Sequence, residues 1–154
     1  EDYGLWLRMV EAGYRLAKHP EPLVVWSDPP NRLTRTDGRY SPEAFRRLKT
    51  AHLPLLHPRS LSGVRILGTG PVGRALVQTL RLGGKVEPLA YLDVAKGRIG
   101  AKLDGIPVLA HDSVRPGEGA LILVALGRPE TKREASAWLT AVGLQFGRDY
   151  VFVS

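Results

Sequence analysis

The sequence predicts a small α/β domain with a doubly wound parallel sheet over residues 64–154, preceded by a mostly helical N-terminal segment. Three observations predict this fold class. Short apolar runs alternate with helical patterns after residue 63, the run at residues 120–126 is apolar throughout, and a glycine-rich turn joins the first run to the first helix. This alternation is typical of β-α-β units, which place helices on both faces of a parallel sheet.

The elements of the α/β domain follow from its periodicity and its stop signals. Strands are predicted at residues 64–67, 86–93, 105–109, 120–126 and 150–153, and helices at residues 71–82 and 130–142. Gly83 and Gly143 are suitable helix stops. Because Pro107 lacks the N–H that a central ladder requires, the third strand is predicted to lie at the edge of the sheet.

The N-terminal segment, residues 1–53, contains two predicted helices. In the first, apolar residues recur at helical spacing from Leu5 to Val10. The second begins with Ser41 as its cap and Pro42 as its first residue, and is predicted to end at about His52. Between them, residues 23–26 form a short β-like run. Residues 54–63 contain two prolines and show no periodicity, which predicts a linker between two domains.

The composition excludes several classes of protein. The chain has 154 residues, no cysteine and a net charge of +7. Without cysteine, and with no histidine pair at i,i+4 spacing, no metal site is predicted. The sequence has no membrane span and no signal peptide, so a cytoplasmic location is predicted, and its charge also fits an anionic membrane surface. The arginines lie among acids without an aromatic stacking pattern, so no nucleic-acid partner is expected. Few amides and many arginines resemble a thermophile's composition.

The turn Gly68-Thr69-Gly70-Pro71-Val72-Gly73 is the most specific feature of the α/β domain. It follows a strand and opens a helix, and Asp93 ends the next strand, as in a dinucleotide-binding fingerprint. Gly68 permits the tight turn, Gly70 lets a phosphate approach the backbone, and Gly73 lets the helix pack on the strand. Asp93 is a candidate partner for a ribose diol. The turn therefore predicts a site for a nucleotide, a nucleotide sugar or NAD, and a purely structural turn remains the alternative.

The α/β domain also resembles domains found in polysaccharide biosynthesis. The resemblance is carried by the glycine turn, Tyr91-Leu92-Asp93, Ile99-Gly100, Gly105-Ile106-Pro107-Val108-Leu109, Val124-Ala125-Leu126-Gly127, Arg133 and Gly143. The pattern is similar to the N-terminal Rossmann-like domain of bacterial sugar-nucleotide acyltransferases and to small nucleotide-binding domains appended to polysaccharide-biosynthesis enzymes. This resemblance implies that the domain holds part of a nucleotide sugar. Arg133 then lies either near a phosphate or on a solvated helix face. The β-helix repeats of the acyltransferases are absent from the sequence, so acyl transfer is not expected.

The first residues of the chain, Glu1-Asp2-Tyr3-Gly4-Leu5-Trp6-Leu7-Arg8, resemble a second family, together with residues 12–15 and 20–24. They are similar to the C-terminal part of the catalytic domain of family 2 glycosyltransferases, inverting GT-A enzymes that use nucleotide-sugar donors. The resemblance implies that Asp2 is the general base that takes the acceptor's proton, with Glu1 beside it. The segment Arg32-Leu33-Thr34-Arg35 resembles the basic loop near the donor diphosphate, where Arg32 and Arg35 would neutralise the leaving group. A solvated helix start is the alternative for Glu1 and Asp2.

These observations favour the C-terminal portion of a longer glycosyltransferase. The chain begins without methionine, and neither the donor-binding half of such an enzyme nor its Asp-x-Asp metal motif is in the sequence. That half is the expected partner, a divalent metal is expected only in the full-length enzyme, and this chain alone is expected to be inactive. Two alternatives remain open. One is an NAD(P)-binding redox or sensor module, and the other is a non-catalytic assembly domain, such as a homodimer.

Overall fold

The computed structural model describes residues 2–25, 27 and 29–153, which form a Rossmann-like α/β fold. Its helices are α1 (Asp2–Glu11), α2 (Leu33–Thr36), α3 (Pro42–Leu56), α4 (Pro71–Gly83) and α5 (Pro129–Ala141). Its strands are β1 (Val64–Leu67), β2 (Pro88–Asp93), β3 (Lys102–Leu103), β4 (Ile106–Ala110), β5 (Leu121–Val124) and β6 (Tyr150–Phe152). Short 3-10 helices cover Gly38–Tyr40, Pro58–Ser62 and His111–Ser113. None of the helices in the described part of the chain combines the length and apolarity needed to cross a bilayer.

The sheet confirms the predicted fold class. Its strand order is β3-β4-β2-β1-β5-β6, and every neighbouring pair except β3 and β4 is parallel. The chain passes from β1 to one side of the sheet and returns at β5 on the other side. In open parallel sheets, this reversal of strand order leaves a crevice at the carboxyl ends of the two central strands, where ligands commonly bind.

Two apolar cores hold the helices against opposite faces of the sheet. On one face, Leu53 of α3 and Leu76 of α4 pack with Ile66 of β1. On the other face, Leu139 of α5 packs with Val124 of β5. All four residues of β5 are buried, which explains why its sequence is continuously apolar rather than alternating.

The third predicted strand is not the edge of the sheet. A two-residue strand, β3, pairs with the outer side of β4 in an antiparallel hairpin, with Leu103 opposite Ile106. Asp104 and Gly105 form the hairpin turn, both with positive φ (51° and 77°). Pro107 is tolerated because the ladder between β2 and β4 begins one residue later, where Val108 pairs with Tyr91.

Three predictions for the N-terminal half need correction. Residues 23–25 form no strand and Val25 is fully exposed. None of the described strands pairs with these residues, and Trp26 lies outside the described residues. Helix α3 does begin after the Ser41 cap, whose hydroxyl accepts from the N–H of Ala44 at 3.2 Å. It continues past His52 and through Pro54 to Leu56. The segment predicted as an irregular linker is therefore largely helical, since residues 58–62 form a 3-10 helix.

Helix α3 connects the N-terminal residues to the sheet. The rings of Tyr3 and Phe45 lie 5.7 Å apart between α1 and α3. At the other end of α3, the ammonium of Lys49 donates to the carbonyl of Val153 at 3.2 Å, and Leu53 lies in the core beneath α4. The division of the chain into units at residues 1–53, 54–63 and 64–154 remains a prediction.

A buried carboxylate joins the amino ends of several strands. Asp149, which precedes β6, is only 4% exposed and accepts from Arg59 at 2.7 Å, from Arg148 at 2.8 Å and from the N–H of Gln145 at 2.9 Å. Burial acts to raise the pKa of Asp149, but the bonds from Arg148, Gln145 and Arg59 outweigh it and lower the pKa to about 2. Arg59 also donates to the carbonyl of Gly119 beside β5 at 3.2 Å, so this ion pair connects the segments that precede β1, β5 and β6.

We expect Asp149→Asn to lower the free energy of unfolding at pH 7 by about 2 kcal/mol, because it breaks charge-assisted bonds in a buried network. The folded-state pKa lies below the usual 3.8, so the stabilisation is complete above that value and is lost as the pH falls toward about 2. Urea denaturation at a series of pH values measures both effects.

The control is Glu43→Gln, which removes an exposed i,i+4 ion pair with Arg47. It is expected to change stability by less than about 0.5 kcal/mol. The difference in the free energy of unfolding between Asp149→Asn and the natural chain should become smaller below pH 4. A difference that stays constant there would contradict the role given to Asp149.

Candidate functional site

The glycine turn begins where β1 ends, and its first residue must be glycine. Gly68 has φ of +118°, and its N–H donates to the carbonyl of Leu92 on β2 at 3.0 Å. A Cβ atom at this position would lie 2.9 Å from the carbonyl oxygen of Ala125. Both the backbone angle and the space therefore exclude a larger residue.

Gly73 brings α4 into direct contact with the end of β1. A Cβ atom at Gly73 would lie 1.9 Å from the carbonyl oxygen of Gly68, so no other residue fits without moving the helix. Gly70 is different, because it caps α4 and no atom lies within 4 Å of its Cβ position. The first bond of α4 runs from the N–H of Arg74 to the carbonyl of Gly70 at 3.0 Å. The amides of Val72 and Gly73 thus precede the first intrahelical bond of α4.

Asp93 lies beside the turn, as the spacing predicts, but its carboxylate already has partners. It accepts from the hydroxyl of Thr69, from the N–H of Ala95 at 2.9 Å and from Arg98 at 3.3 Å. Burial opposes the charged form, but these bonds outweigh it and lower the pKa of Asp93 below its usual range. A ribose diol would therefore have to share Asp93 with Thr69 and Arg98.

Two arginines flank the open side of the turn. Arg98 donates to Thr69 at 2.7 Å through the same Nη1 that faces Asp93, while its Nε and Nη2 have no partner among the described residues. The guanidinium of Arg74 is held by Asp104 at 3.1 and 3.3 Å. Both side chains are at least half exposed. With Thr69 and Gly70, they line a shallow depression at the N-terminus of α4.

Neither Arg74 nor Arg98 was predicted from the sequence as a site residue. Arg98 lies in the loop after β2, five residues beyond Asp93, where a cation beside the ribose carboxylate is a known variation of the fingerprint. That position was the signal that could have identified it. Arg74 follows Gly73 directly on α4, and nothing in its local pattern distinguishes it from a solvated helix residue.

A crevice of about 360 Å³ opens on the other side of the turn, at the carboxyl ends of β1 and β2. It shares Gly68 and Asp93 with the turn, and α5 forms its far wall through Glu134 and Trp138. The crevice and the depression meet at the turn where the strand order reverses, which is the usual ligand position in such sheets.

The other predicted site residues lie elsewhere. Arg133 is exposed on α5, 3.7 Å from Glu130, and lines neither cavity. Asp2 is exposed in the first turn of α1, and Glu1 lies outside the described residues. Arg32 precedes the short helix α2 and Arg35 lies within it; neither lines the crevice or the depression. The turn residues and the transferase-like residues are thus not brought together in either cavity.

Comparison of the chain with protein-family models, with curated proteins and with solved structures finds no match. Among the described residues, no group of three or more histidine, aspartate or glutamate side chains is placed to hold a metal ion.

We expect Gly73→Ala to destabilise the protein by at least about 2 kcal/mol, because the added methyl group overlaps the Gly68 carbonyl and must displace α4. The matched control is Gly83→Ala in the last turn of the same helix, where nothing lies within 4 Å of the Cβ position. The control should be neutral or slightly stabilising, by up to about 1 kcal/mol. Urea denaturation of both variants measures the difference. Equal free energies of unfolding for Gly73→Ala and Gly83→Ala would contradict the close contact between Gly73 and the Gly68 carbonyl.

Proposed function

We propose that the α/β domain binds a nucleotide-type ligand, a nucleotide or a nucleotide sugar, with a phosphate at the glycine turn. The observation that carries this proposal is the open N-terminus of α4 at Gly70, placed at the reversal of strand order between two arginines. Backbone N–H groups at a helix N-terminus, with the positive end of the helix dipole, are well suited to a phosphate.

The arginines support the same proposal. Because Nη1 of Arg98 is held by Thr69 and Asp93, the guanidinium is positioned before a ligand arrives, and its other nitrogens remain available to an anion. Asp104 holds Arg74 in the same way, and it also accepts from the hydroxyl of Tyr91 at 2.8 Å. Positioned donors of this kind reduce the ordering cost of binding a phosphate.

We further propose that the chain is the C-terminal portion of a nucleotide-sugar-dependent glycosyltransferase. Besides the resemblance of its first residues, the surface of α1 supports this proposal. Leu5 and Trp6 are 46% and 47% exposed, close to the exposed Asp2. Contiguous apolar surface is characteristic of a face that packs against another part of a protein. In the complete enzyme, Asp2 would then act as the general base, and Arg32 and Arg35 would lie near the donor diphosphate.

An NAD(P)-binding module is the second candidate for the α/β domain. Its support is the position of Asp93 at the end of β2, beside the turn, where such domains bind the adenosine ribose. A ligand preference separates the two candidates. Binding of NAD that is much tighter than binding of ADP or UDP-N-acetylglucosamine would favour the redox or sensor module.

We expect calorimetric titration with ADP or UDP-N-acetylglucosamine to detect binding that Gly70→Val abolishes. The valine side chain would occupy the phosphate approach, while the open space around Gly70 leaves the fold intact. Arg98→Gln should weaken binding by about tenfold to hundredfold, since it removes a charge-assisted bond.

Two controls match these variants. Gly38→Val introduces the same side chain at another open glycine, in the 3-10 helix before α3. Arg47→Gln removes an equal charge from the exposed surface of α3. Both should bind like the natural chain. No binding of any nucleotide, or equal binding by Gly70→Val, would refute the proposed site.

The transferase proposal has its own test. A donor-hydrolysis assay of the 154-residue chain with Mg²⁺ or Mn²⁺ is expected to show no turnover, because the donor-binding residues of the family are not in this sequence. Turnover above background would contradict the proposal that the activity requires donor-binding residues outside these 154 residues.

A further inference from the structure

The crevice beside the turn has the volume and lining to hold an aromatic ring. Its volume is about 360 Å³, and its apolar lining includes Leu67 at the end of β1 and Leu126, two residues after β5. The indole of Trp138 lines the side formed by α5. Aromatic and apolar surfaces of this kind bind nucleobases by stacking, largely independently of hydrogen bonding.

Two contacts hold the indole in place, and one of the residues that make them, His111, also lines the crevice. The ring of His111, in the 3-10 helix after β4, lies 4.7 Å from the ring of Trp138 at an interplanar angle of 53°. Trp138 also packs against the second core, which includes Leu139. A positioned aromatic ring loses little conformational freedom when a ligand stacks on it.

The polar side chains that line the crevice include the imidazole of His111, whose Nδ1 is buried without a hydrogen-bond partner among the described residues, as well as two carboxylates and a hydroxyl. Among the described residues that line it, the charged side chains are the carboxylates of Asp93 and Glu134, and neither lysine nor arginine is present. Glu134 makes no ion pair or hydrogen bond within the described part of the chain, although the protein carries a net charge of +7. The hydroxyl of Thr131 donates to the carbonyl of Arg128 at 2.9 Å, so its oxygen presents lone pairs to the crevice. A ring that binds beside Glu134 must supply the donor, because a carboxylate only accepts.

The two sides of the turn therefore differ in charge. The depression carries Arg74, Arg98 and the N-terminus of α4, whereas the crevice carries Asp93 and Glu134. A nucleotide whose phosphates lie on the first side and whose base lies on the second would match both sides.

Building on the nucleotide site proposed above, we infer that this crevice is the base subsite and that it selects bases with an exocyclic amino group, as in adenine and cytosine. The amino group donates to the carboxylate of Glu134, while the ring stacks on Trp138. Uracil has a carbonyl oxygen in place of the amino group of cytosine, and that oxygen would face the Glu134 carboxylate with no donor between them.

The test compares ADP, CDP and UDP, three ligands with the same diphosphate. Calorimetric titration should show ADP and CDP binding at least about tenfold more tightly than UDP. Glu134→Gln should weaken ADP and CDP binding and reduce their preference over UDP, because the amide can also donate to a carbonyl. The control is Glu130→Gln, one turn earlier on α5, whose side chain faces Arg133 and does not line the crevice.

The outcomes distinguish a failure of the base subsite from a failure of the proposed phosphate site. If all three diphosphates bind equally and lose affinity in Gly70→Val but not in Glu134→Gln, the base subsite is wrong and the phosphate site stands. If none of the three binds, both are wrong. A preference for UDP would overturn the inference alone.

Discussion

Glycine at position 73 allows the first turn of α4 to touch the carbonyl of Gly68, and the placement of the candidate site depends on that contact. A methyl group there would meet the carbonyl oxygen at 1.9 Å, so any other residue would push the helix away from β1. With the helix in contact, Gly70 lies open at the reversal of strand order. The same local geometry therefore closes the core beneath α4 and points the helix N-terminus at the position where these sheets bind ligands.

The turn also divides two surfaces of different chemistry. Thr69 and Asp93 hold Arg98 on one side, which converts the carboxylate expected to bind ribose into an anchor for a cation. On the other side, Glu134 lies beside apolar side chains and Trp138, and no lysine or arginine is among the described residues that line the crevice. This asymmetry favours a ligand with separate anionic and amino-bearing parts. It provides a stronger argument for a nucleotide than the glycine spacing alone, because a tight structural turn would require the glycines but not the asymmetry.

The sheet could be predicted from the sequence because buried parallel strands and glycine-bounded helices leave strong local patterns. The failures have physical causes. The β-like run at residues 23–26 has the composition of a strand, yet residues 23–25 have no neighbouring strand to pair with. Helix α3 passes Pro54 because its last turns are held by the burial of Leu53 in the core, a tertiary effect that no local pattern reports. Hairpin β3–β4 could have been found, since Asp104-Gly105 is a strong turn signal. In the site, the glycines and Asp93 could be predicted from their spacing. Arg98 and Glu134 could not, because their positions beside the turn depend on how the loop after β2 and helix α5 pack in the folded protein.

The central claim is that a phosphate binds at the N-terminus of α4. Nuclear magnetic resonance of the isotope-labelled chain during titration with ADP tests it residue by residue. The account predicts that the largest shifts in backbone amide signals occur at Gly70, Val72 and Gly73, with smaller shifts in the loop containing Arg98. Saturable shifts confined to other surfaces, such as the groove between α3 and α4 that Arg47, Thr50 and Lys85 line, or no shifts at millimolar ADP, would contradict it.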